Sequence, residues 1–350
     1  MPVRHAPTPH AGVARPRLPE PDVVPLRPFS TVGAPLTTRF EPLGSGATAD
    51  DFEVVERRSA GPQPSVAADL VSLTKPRITL MVVVTMLGGI WVALHHTASA
   101  PSSAWRLAAA VAGTALVVGS ANALNMYLER FTDRLMARTR NRPLPTGRLS
   151  ADLALGFGLA LGAVAVPALT FGVNAVTGLL AAVALVSYVV VYTPLKRRTT
   201  LSLLVGAVPG AIPPLLGWTA VTGRIEGPGL LLFGIMFLWQ VPHFLAIATF
   251  RRDDYARAGL KVLPVERGDR VTRWHIVGYL VALLAVSFAL VATGVGGRFY
   301  LGAAITLGAL FLGAGLWGLV PSAGVRWARG LFAVSIVYLV LLFAALMVSP

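Results

Sequence analysis

Apolar stretches of about 18 or more residues alternate with short polar segments from residue 78 to the end of the chain. A helix of that length can cross a hydrocarbon core roughly 30 Å thick. The pattern therefore predicts an all-α fold, a polytopic transmembrane helical bundle of about nine helices around a central cavity. The predicted helices cover 78–95, 107–124, 151–169, 175–193, 201–222, 228–248, 275–294, 299–319 and 328–348.

Two regions depart from this pattern. Residues 1–68 are rich in Pro, Arg, Ser, Thr and Gly and lack a long apolar run, so we predict a disordered extension there and a transmembrane domain over 69–350. The fifth predicted helix contains Pro209, Pro213 and Pro214, and is therefore expected to be kinked or broken.

The composition agrees with residence in a membrane. Of the 350 residues, 55% are hydrophobic and only 13% are charged, too few charges to cover the surface of a soluble domain of this size. The chain has no cysteine, which excludes disulfides, zinc–thiolate sites, iron–sulfur clusters and cysteine nucleophiles.

The net charge of +14 would suggest a nucleic-acid partner for a soluble protein, but here its distribution indicates topology. Arginine and lysine concentrate in the loops after the second, fourth and sixth predicted helices, and cytoplasmic loops of membrane proteins collect these residues. The sequence thus predicts an inner-membrane protein that binds no nucleic acid. Its N-terminus and basic loops would be cytoplasmic and its C-terminus outside.

Acidic residues gather at two places beside these basic loops. Asn125, Glu129 and Asp133 stand at i, i+4 and i+8, which share one face if the second helix continues through them. Asp253 and Asp254 follow the sixth helix. Amide and carboxylate oxygens suit Mg²⁺, which binds one or two carboxylates together with substrate phosphates. The alternative is a solvated helix end whose acids pair with nearby arginines.

A basic rim lies in the same predicted plane. Two acidic corners and such a rim suit a metal-bridged diphosphate on a substrate with an apolar tail. Each basic residue taken singly is also explained as a positive-inside anchor, and we favour that interpretation for Lys75 and Arg77. The alternative for these two is a helix-start motif at the mouth of the substrate site. The rim consists of Arg138, Arg142, Lys196, Arg197 and Arg251.

His243 stands alone within the otherwise apolar sixth helix. An ionisable residue in a membrane span is a functional candidate, and imidazole is a common axial ligand of heme iron. The alternative is a hydrogen bond between helices.

Five segments, in this order, resemble the protoheme IX farnesyltransferase family within the UbiA-like intramembrane prenyltransferases. The resemblance runs from about residue 70 to the C-terminus. The segments are LTKPRITLMV (73–82), NMYLERFTDRLMARTRNRPLPTGR (125–148), YTPLKRRT (192–199), WQVPHFLAIA (239–248) and DDYARAGLKVLPVERG (253–268).

The resemblance implies roles for particular residues. The family motif N-x₃-D-x₃-D is matched by Asn125, Glu129 and Asp133, with Glu in place of the middle Asp, and the second motif shrinks to Asp253 and Asp254. All five would hold Mg²⁺, and we prefer Asp254 to Asp253 because it adjoins Tyr255. Glu129, Asp133 and Asp254 would be catalytic. Substrates would contact Arg138, Arg142, Lys196, Arg197, Arg251, Tyr255 and His243.

The implied reaction joins farnesyl diphosphate to the 2-vinyl group of protoheme IX and gives heme O. Membrane lipid surrounds such an enzyme, and a heme A synthase or a terminal oxidase is a candidate partner. One rival function is prenylation of a quinone precursor or another aromatic acceptor. A rival of another class is a membrane transporter, whose polar site would lie near the midplane at a broken helix.

Overall fold

The computed structural model describes residues 64–97 and 103–349, and within these ranges the chain forms helices and no strands. Nine helices of the described part are long and apolar enough to span a membrane, which confirms the predicted all-α membrane bundle. They are α1 (Pro76–His96), α2 (Ala104–Asp133), α3 (Ala151–Gly172), α4 (Ala175–Leu195), α5 (Ser202–Thr222), α6 (Gly227–Phe250), α7 (Gly268–Ala292), α8 (Arg298–Trp317) and α9 (Val325–Val348).

The helices form two neighbouring groups that meet at α5. In the first group α2 packs on α3, α3 on α4, and both α1 and α4 on α5. In the second group α6 packs against α7 and α9, and α8 lies against both of these helices. Contacts of α5 with α6 and of α1 with α9 join the two groups.

Of the kink or break predicted for α5, the kink stays a prediction, and the break is wrong because the helix runs continuously from Ser202 to Thr222. Tertiary packing explains this, because its prolines are buried among neighbouring helices, which support the backbone where proline removes a hydrogen bond. The crossing with α1 is very close. A Cβ on Gly89 would lie 2.0 Å from the Pro214 carbonyl oxygen, and one on Gly217 would lie 2.1 Å from that of Met86. Only glycine permits this approach.

The largest boundary difference is at α2, which ends at Asp133 and not near residue 124. The loss of apolar residues after Leu124 predicts where the membrane span ends, but polar residues continue the helix beyond it. This extension carries Asn125, Glu129 and Asp133 on a regular helix, the condition under which they share a face.

The helix α4 changes geometry near its end. Residues 187–192 form a π-helical segment, in which backbone hydrogen bonds span five residues instead of four. The apolar pattern of this region predicts a helix but not this local change. Such segments are rare and occur frequently at functional sites.

The loops after α2, α4 and α6 meet at one end of the bundle, which we call the basic end. The backbone N–H of Lys261 donates to the Lys196 carbonyl at 3.0 Å, and Met136 packs against Ala258 and Leu260. Four short helices lie at this end: Val66–Leu73, Pro143–Thr146, Arg252–Arg257 and Leu263–Glu266. Of the predicted disordered extension, residues 1–63 lie outside the described residues, and the helix that begins at Val66 overlaps its end.

Candidate active site

The face of α2 at the basic end brings three oxygen-bearing side chains together. Asn125 and Asp133 are only 2% and 1% exposed, and Glu129 lies between them along the helix. A buried carboxylate must be paired, because an isolated charge is strongly disfavoured away from water. The carboxylates of Glu129 and Asp133 therefore depend on cations from other segments.

Two basic residues of the predicted rim supply those cations. Arg142 donates from Nη1 to Asp133 Oδ2 at 2.8 Å, and Lys196 donates from Nζ to Glu129 Oε1 at 2.8 Å. The Lys196 ammonium also lies 4.4 Å from the ring centroid of Tyr192, within cation–π range. The loops after α2 and α4 thus each place one charge against the acidic face.

One oxygen of this cluster has no hydrogen-bond partner. Asp133 Oδ1 is buried and unpaired among the described residues, although a buried carboxylate oxygen normally accepts a bond. No group of three or more acidic or imidazole side chains in the described ranges could hold a metal by itself. Mg²⁺ characteristically takes only one or two carboxylates and completes its shell with water and phosphate oxygens. The orphaned oxygen, on the helix face that also carries Asn125 and Glu129, fits such an ion.

The second acidic corner consists of Asp253 and Asp254, and these two aspartates differ in burial and in their contacts. Asp254 is 8% exposed and is paired with Arg257 and, at 3.7 Å, with Arg251. Asp253 is exposed and lines a different cavity of about 250 Å³, together with Asp269. Asp254 is thus buried and ion-paired, whereas Asp253 is exposed.

Tyr255 connects this corner to the first one. It packs on the cluster of Met136, Ala258 and Leu260, and it lies within electrostatic range of Glu129 and Lys196. Burial is the main cause that raises the pKa of the Tyr255 hydroxyl, so this group stays protonated at neutral pH and is able to donate a hydrogen bond.

The remaining predicted residues lie at different distances from the cluster. Arg138 is exposed but within electrostatic range of Tyr255, Arg251 is about half exposed beside Asp254, and Arg197 is exposed with no contact to the acidic face among those described. His243 lies deeper on α6, where its Nδ1 is 2.7 Å from Ser335 Oγ of α9. Its ring stacks on Trp239 at a centroid distance of 4.8 Å.

Lys75 belongs to this site, although its sequence context favoured a membrane anchor. Its ammonium charge interacts electrostatically with Arg142, Lys196, Glu129 and Asp133. Burial is the largest cause that lowers its pKa to about 7, and the neighbouring cations Arg142 and Lys196 lower it further. No spacing rule in the sequence links residue 75 to these positions.

The backbone of Lys75 is also unusual. Its φ of 49° and ψ of 67° place it in the left-handed region, the one non-glycine residue of the described ranges with a positive φ. The preceding carbonyl of Thr74 is fixed by hydrogen bonds from Asn122 at 3.3 Å and from Thr79 at 2.8 Å. A strained residue held by its surroundings is typical of functional sites.

The pKa of Lys196 shifts in the opposite direction from that of Lys75. Burial lowers its pKa, but Tyr192 and Glu129 outweigh burial and the net shift is upward. The ion pair with Glu129 therefore persists across the physiological pH range. At neutral pH Lys196 is therefore charged, whereas Lys75 is partly neutral.

A buried ion pair fastens the basic loop to the segment before Lys75. Arg148 donates from Nε and Nη2 to the two carboxylate oxygens of Asp69 at 3.2 and 3.1 Å, and its Nη1 donates to the Asn141 carbonyl at 3.3 Å. This bidentate contact links the helix Val66–Leu73 to the loop that presents Arg142.

We expect Asp69→Asn to destabilise the protein by about 2 kcal/mol, because the Arg148 charge would lose its partner in a largely buried place. Thermal unfolding in detergent measures this. Asp269→Asn is the matched control: Asp269 is 44% exposed and its pairing with Arg252 is long, at 3.6 Å, so the expected loss is about 0–1 kcal/mol. Equal effects of the two substitutions would contradict the assigned importance of the Asp69–Arg148 pair.

The comparisons with solved structures show the fold. A digeranylgeranylglyceryl phosphate synthase has a TM-score of 0.69 at 15% identity, covering 80% of this chain and 97% of that one. A UbiA homolog from Archaeoglobus fulgidus bound to DMAPP and Mg²⁺ has a TM-score of 0.56 at 15% identity, covering 80% of this chain and 99% of that one.

Sequence comparisons show the family. Protoheme IX farnesyltransferase of Sorangium cellulosum (strain So ce56) is 62% identical over 281 residues, which are 77% of this chain and 100% of that protein. The profile described as the UbiA prenyltransferase family matches residues 82–347. With an acidic helix face, a basic rim and a nine-helix bundle in agreement, the chain belongs to the UbiA prenyltransferase family, and its relatives place it in the protoheme IX farnesyltransferase branch.

Proposed function

We propose that this protein transfers the farnesyl group of farnesyl diphosphate to the 2-vinyl group of protoheme IX and releases heme O and diphosphate. The observation that carries the proposal is the convergence of the α2 acidic face with Lys75, Arg142 and Lys196 at one end of an apolar bundle. A relative 62% identical to the chain is named for this reaction.

The diphosphate is proposed to bind at the basic end with Mg²⁺. Asn125, Glu129, Asp133 and Asp254 would hold the ion, directly or through water. When bound, Mg²⁺ supplies positive charge that neutralises the diphosphate oxygens. The unpaired Oδ1 of Asp133 supports this assignment, and a structural relative was solved with DMAPP and Mg²⁺.

The basic side chains are proposed to stabilise the leaving group. Heterolysis of the bond between C1 of the farnesyl group and its oxygen leaves the electron pair on diphosphate and an allylic cation on carbon. Lys75, Arg142 and Lys196 are close enough to the acidic face to oppose the charge that builds up there. Arg138, Arg251 and Tyr255 would extend this contact surface, and Arg197 would do so only after its side chain moves.

The apolar interior would protect the cation from early reaction with water. The terminal carbon of the heme vinyl group then bonds to farnesyl C1, and the positive charge passes to the vinyl carbon next to the porphyrin. Water adds to that carbon and loses a proton, which leaves a hydroxyethylfarnesyl substituent. Electrons and atoms balance without any oxidant or reductant.

His243 is proposed to contact the heme substrate. Its Nδ1 is engaged with Ser335, which leaves Nε2 as the nitrogen for an axial bond to iron. The same hydrogen bond also gives His243 a structural role between α6 and α9.

For His243→Ala we expect at least about tenfold weaker heme binding and a changed heme absorption spectrum, since an axial ligand is lost. Titration of the purified protein with heme measures both. Ser335→Ala is the control, because it removes the interhelical bond and keeps the imidazole. Normal heme affinity and an unchanged spectrum in His243→Ala would restrict this residue to packing.

The proposed setting is the inner membrane of a cell, with the basic end and the N-terminus in the cytoplasm and the C-terminus outside. The loops of the basic end carry most of the arginines and lysines of the membrane domain, which supports this orientation. A heme A synthase or a terminal oxidase would take up the product.

The testing experiment incubates purified protein with heme, farnesyl diphosphate and Mg²⁺, with an EDTA control, and identifies the extracted heme by mass spectrometry. A Mg²⁺-dependent gain corresponding to heme O is expected. Unchanged heme, combined with prenylation of a quinone precursor in the same preparation, would favour the other acceptor class. The transporter alternative is disfavoured by the family and by the position of the acids, which lie at one end of the bundle.

A further inference from the structure

Asn125 is held by a chain of two hydrogen bonds that runs from α2 into α4. Its Nδ2 donates to Thr193 Oγ1 at 3.1 Å, and the Thr193 hydroxyl donates to the Tyr188 carbonyl at 2.9 Å. Both Asn125 and Thr193 are buried. Thr193 lies in the segment YTPLKRRT (192–199), but no site role was predicted for it.

The two hydrogen bonds run in the same direction along this chain. A hydroxyl has one proton, and that of Thr193 is committed to a carbonyl oxygen, which can only accept. In this arrangement Thr193 accepts from the NH₂ group of Asn125, so the NH₂ group faces α4 and the amide carbonyl faces away from Thr193. A cation binds the carbonyl oxygen and not the NH₂ group, and hence the orientation of this amide decides whether Asn125 is a ligand.

The π-helical segment makes this arrangement possible. In residues 187–192 the bonding pattern reaches five residues along the chain, and the backbone N–H of Thr193 also donates to the Tyr188 carbonyl. The Thr193 hydroxyl therefore lies between the Tyr188 carbonyl and Asn125 of α2. In a regular α-helix the partner of the Tyr188 carbonyl would be Tyr192.

We infer that Thr193 is a positioning residue that turns the carbonyl oxygen of Asn125 toward the divalent cation of the diphosphate site. The inference rests on the proposed function, since it needs a cation at the α2 acidic face. Thr193 itself does not touch the ion or the substrate. It acts by excluding the flipped amide, which would present two N–H groups to a cation.

The test uses Thr193→Val, which keeps the shape of the side chain and removes the hydroxyl. Affinity for Mn²⁺ in the presence of inorganic diphosphate is measured by electron paramagnetic resonance on the full chain in detergent. We expect about a tenfold loss of Mn²⁺ affinity, the usual effect of removing a partner that orients a metal ligand. Thr193→Ser should restore the affinity, because it restores the hydroxyl.

Thr114→Val is the matched control. Thr114 is also buried on α2, but its hydroxyl has no hydrogen-bond partner among the described residues. Its replacement removes a buried hydroxyl without freeing an amide, so Mn²⁺ affinity should stay unchanged. A similar loss in both valine variants would overturn the inference.

A second background keeps the inference testable even if Thr193→Val folds poorly alone. In Asn125→Asp either carboxylate oxygen can bind the cation, so the orienting bond loses its purpose. Adding Thr193→Val to Asn125→Asp should cause no further loss, and fully additive losses would contradict the positioning role.

The outcomes also separate this inference from the proposed function. Unchanged Mn²⁺ affinity in Thr193→Val, beside heme O formation by the unmodified protein, would overturn the role of Thr193 alone. Failure of the unmodified protein to bind Mn²⁺ with diphosphate would overturn the proposed metal site and this inference together.

Discussion

Replacing Asp133 with asparagine is expected to reduce heme O formation by about 10²- to 10³-fold or more while the protein remains folded. Asp133 offers the unpaired buried oxygen of the site, and the amide keeps the shape but removes the charge. Loss of one group that stabilises developing charge typically costs a factor of that size. Mass spectrometry of heme under saturating Mg²⁺ and farnesyl diphosphate measures the effect.

Asp152→Asn is the matched control for this substitution. Asp152 lies exposed in the first turn of α3, outside the acidic face, so activity should be unchanged. A melting temperature of Asp133→Asn close to that of the unmodified protein would show that the loss is not one of folding. Near-normal heme O production by Asp133→Asn would remove Asp133 from the metal site.

The amine of Lys75 is expected to react with acylating reagents near neutral pH far faster than a lysine amine of ordinary pKa. Its pKa is lowered to about 7, so it loses its proton as the pH rises through 7, and about half of it is neutral there. An amine with the ordinary pKa of about 10.4 is neutral about once in 2,500 molecules at pH 7. Competitive labelling from pH 6 to 9, read by mass spectrometry of peptides, measures the titration.

The chain is well suited to this measurement because it has only three lysines: Lys75, Lys196 and Lys261. Lys196 should resist labelling throughout, since its pKa is raised beside Glu129, and the exposed Lys261 serves as the internal reference. Farnesyl diphosphate with Mg²⁺ should protect Lys75, because a bound diphosphate favours the charged amine. Labelling of Lys75 that rises only above pH 9 would contradict the lowered pKa.

Much of this organisation could be predicted from the sequence, because membrane spans and helix-face spacing are local patterns. The nine spans and the shared face of Asn125, Glu129 and Asp133 depend only on hydropathy and on residues four positions apart. The choice of Asp254 over Asp253 rested on resemblance alone and stays a prediction, with which the burial of Asp254 is compatible.

The features that escaped prediction depend on contacts distant in sequence. Lys75 joins the site only because the segment before α1 folds back onto α2 and onto the loop of Arg142. Likewise, the prolines of α5 predict a break in the helix, but tertiary packing keeps the helix continuous. Thr193 resembles any other threonine until its partners on two helices are known.

The π-helical turn of α4 also constrains how the length of this helix can vary in evolution. Such a turn is equivalent to a single-residue insertion, and each residue of an α-helix advances the chain by about 100°. Deleting one of residues 189–191 would rotate the first part of α4 against the basic end by that angle. Such a deletion would move the Tyr188 carbonyl away from Thr193 while leaving every motif residue in place. The number of residues in this segment therefore matters to the site as much as the identity of the residues that it positions.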